Sequence, residues 1–247
     1  MQIGNLRPAG YARTLFTREF RLLITILVIV AAFWTFLIVA EAVRHGTIQH
    51  FDDAVLLAFR EAGHPEIPRG PARLPETMRD ITSLGGGTVI ALVTLAVAGY
   101  LWLRNRYRAL ALLLITVIGG GVLDYGLKLI VGRGRPTVVP HFVNVDSLSF
   151  PSGHSLMSMA VYLVLAALLS PQLPDRRARV YVVAVALFLT FIIGISRVYL
   201  GVHYPSDVLG GWSLGLAWAT LCWLVAWYVE ERRVARVGML VEEQKEV

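Results

Sequence analysis

The sequence predicts an all-α protein, a six-transmembrane helical bundle, and three observations predict it. Only 16% of the 247 residues are charged, against roughly 25% in an ordinary soluble domain. The mean hydropathy is +0.62. Six apolar runs, at 22–43, 86–103, 109–130, 155–170, 180–200 and 207–229, approach or reach the about 20 residues a helix needs to cross a hydrocarbon core. One compact domain over 22–230 follows, with a cytoplasmic segment 1–21 before it and a cytoplasmic tail 231–247 after it.

Taken in order, run 22–43 is too long for a signal peptide and lacks a convincing small-residue cleavage site, so it reads as a retained span. Between the first two spans, IQHFDDAVLLAFREAG (48–63) sets Ile48, Phe51, Val55, Leu56 and Phe59 at helical spacing. That pattern predicts an interfacial helix lying on the membrane and roofing a lipid entrance. The fourth run is short and is expected to extend at its cytoplasmic end. Gly119–Gly121 and the pair Gly211 and Gly215 read as close-packing positions between helices. Cys222, the only cysteine, excludes an intrachain disulfide and reads as a buried structural thiol. The tail ERRVARVGMLVEEQKEV is expected to extend the last helix and fray into disorder.

Six spans put both termini on one side. With the N-terminus cytoplasmic, the inside segments hold fourteen of the 23 lysines and arginines, concentrated in turns such as LRNRYR and PDRRAR. The formal charge of +6 then reflects membrane orientation and anionic headgroups rather than nucleic acid. The 1–2, 3–4 and 5–6 connections share the outer face, so polar residues at those span ends converge.

Three clusters lie there. KLIVGRGRP closes the third span with Lys128, Arg133 and Arg135; FPSGH opens the fourth with Ser152, Gly153 and His154; SRVYLGVHYPSD joins the last two with Arg197, His203 and Asp207. Lys128, Arg135 and Arg197 are three cations at one depth, suited to phosphate oxygens. Singly each has a structural explanation (snorkelling, a headgroup contact, a helix cap), but two histidines beside all three favour an anion site. Arg133 reads as a headgroup contact. Ser152 is a natural N-cap, Gly153 lets a ligand approach, and the helix start favours anions. Asp207 lies four residues after His203, close enough to fix its tautomer and leave Nε2 as nucleophile or base. The same residues could form a metal half-site or a cap, but crowded cations would repel a dication. Asp124, one turn before Lys128 inside a span, is expected to pair with Lys128 or another polar group and tune the site.

Together these clusters resemble the three-part signature of the type 2 phosphatidic acid phosphatase (PAP2) superfamily, in its bacterial integral-membrane branch. The spacings Lys-x6-Arg-Pro, Pro-Ser-Gly-His and Ser-Arg-x5-His-x3-Asp match without substitution at a key position. The resemblance implies a core like that of vanadium haloperoxidases and a nucleophilic His203 oriented by Asp207. It implies that His154 protonates the leaving oxygen and then activates water. Lys128, Arg135, Arg197, Ser152 and Gly153 would hold the phosphate. No metal or other cofactor is implied, because phosphoryl transfer needs mainly positioning and charge stabilisation.

The expected activity is hydrolysis of a lipid phosphomonoester or pyrophosphate at the outer face of a bacterial cytoplasmic membrane, through a phosphohistidine. Phosphatidic acid, phosphatidylglycerol phosphate and undecaprenyl pyrophosphate are candidate partners in the bilayer. A phosphotransferase using the same phosphohistidine and a lipid A phosphatase are alternatives; a channel, transporter or scaffold gives no reason for the full residue set, and haloperoxidase chemistry gives none for six spans.

Overall fold

The computed structural model describes residues 8–243, with side chains over 19–233. The chain is helical almost throughout. Helix α1 (Pro8–Arg44) leads into α2 (Gln49–Ala58), a small hairpin of β1 (Arg60–Glu61) and β2 (His64–Pro68), and α3 (Leu74–Ser83). Then come α4 (Gly87–Leu103), α5 (Tyr107–Val131), α6 (Gly153–Leu169), α7 (Arg176–Tyr199) and α8 (Pro205–Glu243). Helices α1, α5, α6, α7 and α8 are long and apolar enough to cross a membrane. Helix α4 matches the predicted second span in its bounds but has only 17 residues. It forms a bent pair with α3, at 41°, that passes the same test as one broken span.

Helix α6 is the centre of the bundle. Its residues Leu156, Ala160 and Val161 are wholly buried, with α7, α8 and α5 packed around it. Phe36, Val39 and Val43 of α1 meet Phe150, Leu156 and Leu214 on one side. On another, Cys222 is buried among Leu112, Ala160, Val164 and Ala219, the structural placement its span suggested. Gly211 and Gly215 let α8 lie directly on α6: a Cβ on either would come within 2.6 Å of Ser152 O or 2.5 Å of Leu156 O respectively. Gly119 and Gly120 similarly face Trp218 and Met157, whereas a Cβ on Gly121 would meet nothing.

The first and last helices run beyond their apolar cores, and one sequence expectation changes. Helix α1 starts at Pro8, well before residue 22. The tail continues α8 as helix to Glu243, and the expected fraying beyond it, at 244–247, falls outside the described residues. The 48–63 segment is not one interfacial helix. It stops at Ala58, and the chain reverses through Gly63 at φ 79° into β2. One face of α2 turns into the bundle. Leu56 and Asp52, one turn apart, are fully buried. Leu56 packs with Val139, Val198, Tyr204 and Val208, while Phe51 points out, 57% exposed.

Candidate active site

The three clusters meet around a 450 Å3 cavity at one end of the bundle, lined by Asp124, Lys128, Arg135, Gly153, His154, Arg197 and His203. Its remaining wall is largely small or apolar, including Gly85, Gly87, Ile90, Ala91, Val117 and Met157.

Helix α5 brings Asp124 and Lys128 to one face, four residues apart, and Lys128 Nζ donates to both carboxylate oxygens at 2.7 Å. The expected pairing is present. The same carboxylate abuts Gly153, where a Cβ would sit 2.9 Å from Asp124 Oδ2. Helix α5 then ends at Gly132 in the left-handed conformation, φ 66°, a standard helix terminator. The chain leaves the helix there with Arg133 and Arg135 close behind.

Arg135 is held by the 138–149 loop: Nε donates to Ser147 O at 2.8 Å and Nη2 to Ser147 Oγ at 3.0 Å. Its Nη1 donates to Val202 O at 2.6 Å and to His203 Nε2 at 3.0 Å. Arg197, on the last turn of α7, is 3% exposed. Its Nη1 donates to Thr82 Oγ1 of α3 at 3.2 Å, and its buried Nε has no partner among the described residues. A buried, unsatisfied donor on a cation is costly, and an arriving anion would relieve that cost.

His154 stands one residue into α6 and faces the α3–α4 break, with its Nε2 3.7 Å from where a Cβ on Gly86 would sit. That break is tied to α6 by Tyr162, whose hydroxyl donates to Leu84 O at 2.6 Å. Ser152 is the N-cap that the sequence suggested. It caps α6, its Oγ accepting from Ser155 N, and it is completely buried. Gly153 lines the cavity and Ser152 lies just behind it in sequence, outside the lining.

His203 sits in the short link between α7 and α8, 1% exposed. Its Nδ1 is 3.4 Å from Asp207 Oδ2 and equally far from Ser149 Oγ, and Ser149 Oγ donates a short bond to Asp207 Oδ2. Tyr204 N adds a 2.8 Å bond to that oxygen. Asp207 thus reaches the imidazole partly through Ser149, a residue that sequence spacing did not point to. Burial, then the charges of Arg197, Arg135 and Lys128, push the His203 pKa well below the ordinary 6.5. The ring is a neutral imidazole at physiological pH.

Arg133 does depart from expectation. It is no headgroup contact: its side chain is 10% exposed and pairs with Asp207 and Asp52, each at 2.7 Å. Burial alone would lower its pKa, but the two carboxylates outweigh that and raise it. Its signal was present in the sequence, since Asp52 and Leu56 share a helix face that had to turn inward.

An apolar helical bundle with two histidines and three cations around one cavity has the composition of a membrane protein, and the chemistry of that cavity suits an anionic group. Residues 108–231 match the PAP2 superfamily. The chain is 37% identical over 191 residues to phosphatidylglycerophosphatase B of Bacillus subtilis (strain 168), covering 76% of this chain and 89% of that protein. It is 31% identical over 202 residues to lipid A 1-phosphatase of Rhizobium etli, covering 71% and 79% respectively. The crystal structure of a transmembrane PAP2-type phosphatidylglycerolphosphate phosphatase from Bacillus subtilis superimposes with TM-score 0.71 at 34% identity, over 78% of this chain and 93% of that one. The chain belongs to the PAP2 superfamily of membrane lipid phosphatases, hydrolases of phosphate esters.

Proposed function

We propose that this protein removes the terminal phosphate of a lipid headgroup through a phosphohistidine formed on His203. The observation that carries the proposal is the placement of His203. Its Nε2 lies on the cavity wall beside Arg135, and its Nδ1 backs onto Asp207 and Ser149. In the first step the Nε2 lone pair attacks phosphorus and the bond to the lipid-side oxygen breaks. That oxygen takes its proton from His154, and the phosphate dianion lying among the cations supplies the counter-charge for a protonated His154. Asp207 stabilises the resulting cationic ring. In the second step a water gives its proton to His154 and attacks phosphorus, the P–N bond breaks, and inorganic phosphate leaves. Lys128, Arg135, Arg197 and the N–H groups at the start of α6 hold the equatorial oxygens throughout. Arginine forks and a helix start can carry this charge stabilisation without a metal.

Ile90, Ala91, Val117 and Met157 give the same cavity an apolar side between α4, α5 and α6. That wall supports a substrate whose phosphate sits at the rim while its chains stay among the helices. Phosphatidylglycerol phosphate leads the candidate substrates, from the name of the 37% identical relative; phosphatidic acid and undecaprenyl pyrophosphate follow. The arginine-rich turns support cytoplasmic termini and a site facing the exterior.

Phosphate release from these three lipids in detergent, with and without EDTA, tests the reading. The expected result is release that EDTA leaves intact and that His203→Ala abolishes. Full-rate release by His203→Ala, or abolition by EDTA, would overturn it.

A further inference from the structure

A chain of buried side chains joins α2 to the partner of the nucleophile without touching the cavity. Arg133 engages all four N–H bonds of its two terminal nitrogens. Nη1 donates to Ser206 Oγ and Asp207 Oδ1, each at 2.7 Å; Nη2 donates to Gln49 Oε1 at 3.0 Å and Asp52 Oδ2 at 2.7 Å. The guanidinium lies 4.0 Å over the Tyr204 ring. Asp52, wholly buried, also accepts from Ser206 N at 3.0 Å and from Ser206 Oγ. Asp52, Arg133 and Asp207 are absent from the cavity wall.

As a fastening for α2 this arrangement is a poor choice. Two carboxylates and a guanidinium withdrawn from water are often no more stabilising than apolar side chains of the same volume. Its location suggests a different use. Asp207 offers one oxygen to Arg133 and the other to the His203 side. A guanidinium alone on Oδ1 would cancel the charge that a cationic imidazole needs. Asp52 balances that guanidinium from behind, so the three groups together keep one negative charge, directed at Nδ1.

We infer that Asp52 and Arg133 are positioning residues for the His203–Asp207 pair, with Asp52 setting the arginine and the arginine setting the carboxylate. This inference rests on His203 as the nucleophile. The first outer segment thereby contributes to the chemistry from the side of the pair that faces away from substrate.

The test uses the full chain in detergent with phosphatidic acid as substrate, comparing wild type, Asp52→Asn, Arg133→Lys, Asp207→Asn and the double variant Asp52→Asn/Asp207→Asn. Asp52→Asn is expected to lower kcat about 10–100-fold, the usual cost of losing an outer-shell partner, with KM changed less than about threefold. Arg133→Lys keeps the charge but has three donors from one point in place of a fork, and is expected to recover only part of the activity. Adding Asp52→Asn to Asp207→Asn is expected to change little further, because both act through one carboxylate.

The pH profile supplies a readout that a fastening role would not move. The titratable groups sharing the cavity with His203 are Asp124, Lys128, Arg135, His154 and Arg197, with Asp207 behind it. All are unchanged in Asp52→Asn, so loss of one negative charge should shift the acid limb of kcat to lower pH. Wild-type kcat in Asp52→Asn would overturn the inference. So would losses that multiply fully in the double variant, or a fall in activity matched only by a fall in folded fraction. If His203→Ala is itself active, the nucleophile assignment has failed instead, and the two failures are distinct.

Discussion

Arg135 Nη1 lies 3.0 Å from Nε2 of His203. An arginine can only donate, so Nε2 must accept and the ring proton must sit on Nδ1, facing Ser149 and Asp207. The tautomer needed for nucleophilic attack is thereby fixed from both sides. The same contact occupies the attacking lone pair, so Arg135 has to move onto the phosphate as substrate enters. Arg135→Gln should therefore lower kcat/KM by about 10²–10³, as loss of one donor to a developing charge typically does. Steady-state kinetics with phosphatidic acid checks this, and a loss below about fivefold would contradict the assigned grip on phosphate.

The pH dependence follows from His203. Its pKa is lowered by burial first and by Arg197, Arg135 and Lys128 next, so the free enzyme should keep a neutral nucleophile well below pH 6.5. Arg135→Gln removes one of those charges and should move the acid limb of kcat/KM upward; comparison with wild type cancels the substrate's own titration. Stability has a definite sign. The unfolded chain takes up this proton near pH 6.5 while the folded one does not, so His203 costs stability as pH falls through that value. Thermal melts from pH 7.5 to 5.5 in wild type and His203→Gln should show a smaller decline in the variant.

If Lys128 grips phosphate as proposed, Asp124 competes for it. Both its oxygens hold Nζ at 2.7 Å in the ligand-free site. Asp124→Asn should free the lysine and tighten inhibition by inorganic phosphate of order tenfold, a change of about 1.4 kcal/mol, while kcat falls through slower product release. Unchanged or weaker phosphate inhibition would rule out the competition.

Helix packing sets the position of the phosphate-binding start of α6. A Cβ on Gly211 would lie 2.6 Å from Ser152 O and 2.8 Å from Ser155 Cβ, so Gly211→Ala must displace that turn. A loss of about 1–3 kcal/mol is expected, with activity falling further than stability. Gly126→Ala, where a Cβ meets nothing within 4 Å, is the control and should behave as wild type in both.

Much of this was legible because the key side chains sit at short, fixed spacings. His203 and Asp207 are four residues apart, as are Asp124 and Lys128 within α5, and that spacing brings the members of each pair near one another. The hydropathy runs likewise located the helices, since apolar length is what a bilayer demands. Contacts between distant segments left no such trace. Ser149 meets Asp207 across 58 residues, Arg197 meets Thr82 across 115 and Arg133 meets Asp52 across 81. At Ser152 one hydroxyl can cap a helix or bind a ligand, and the spacing is identical for both. In the 48–63 segment the apolar stripe was visible, but the inward turn of Asp52 on the face of Leu56 depends on Arg133, 81 residues away.

The central claim is a covalent intermediate on His203, and its most direct test is rapid quenching of a single turnover with 32P-labelled phosphatidic acid. The account predicts protein-bound label that survives alkali, is lost in acid, maps to His203 and is absent from His203→Ala. Phosphate release at the full rate with no protein-bound label at any time, or label that persists in His203→Ala, would contradict it.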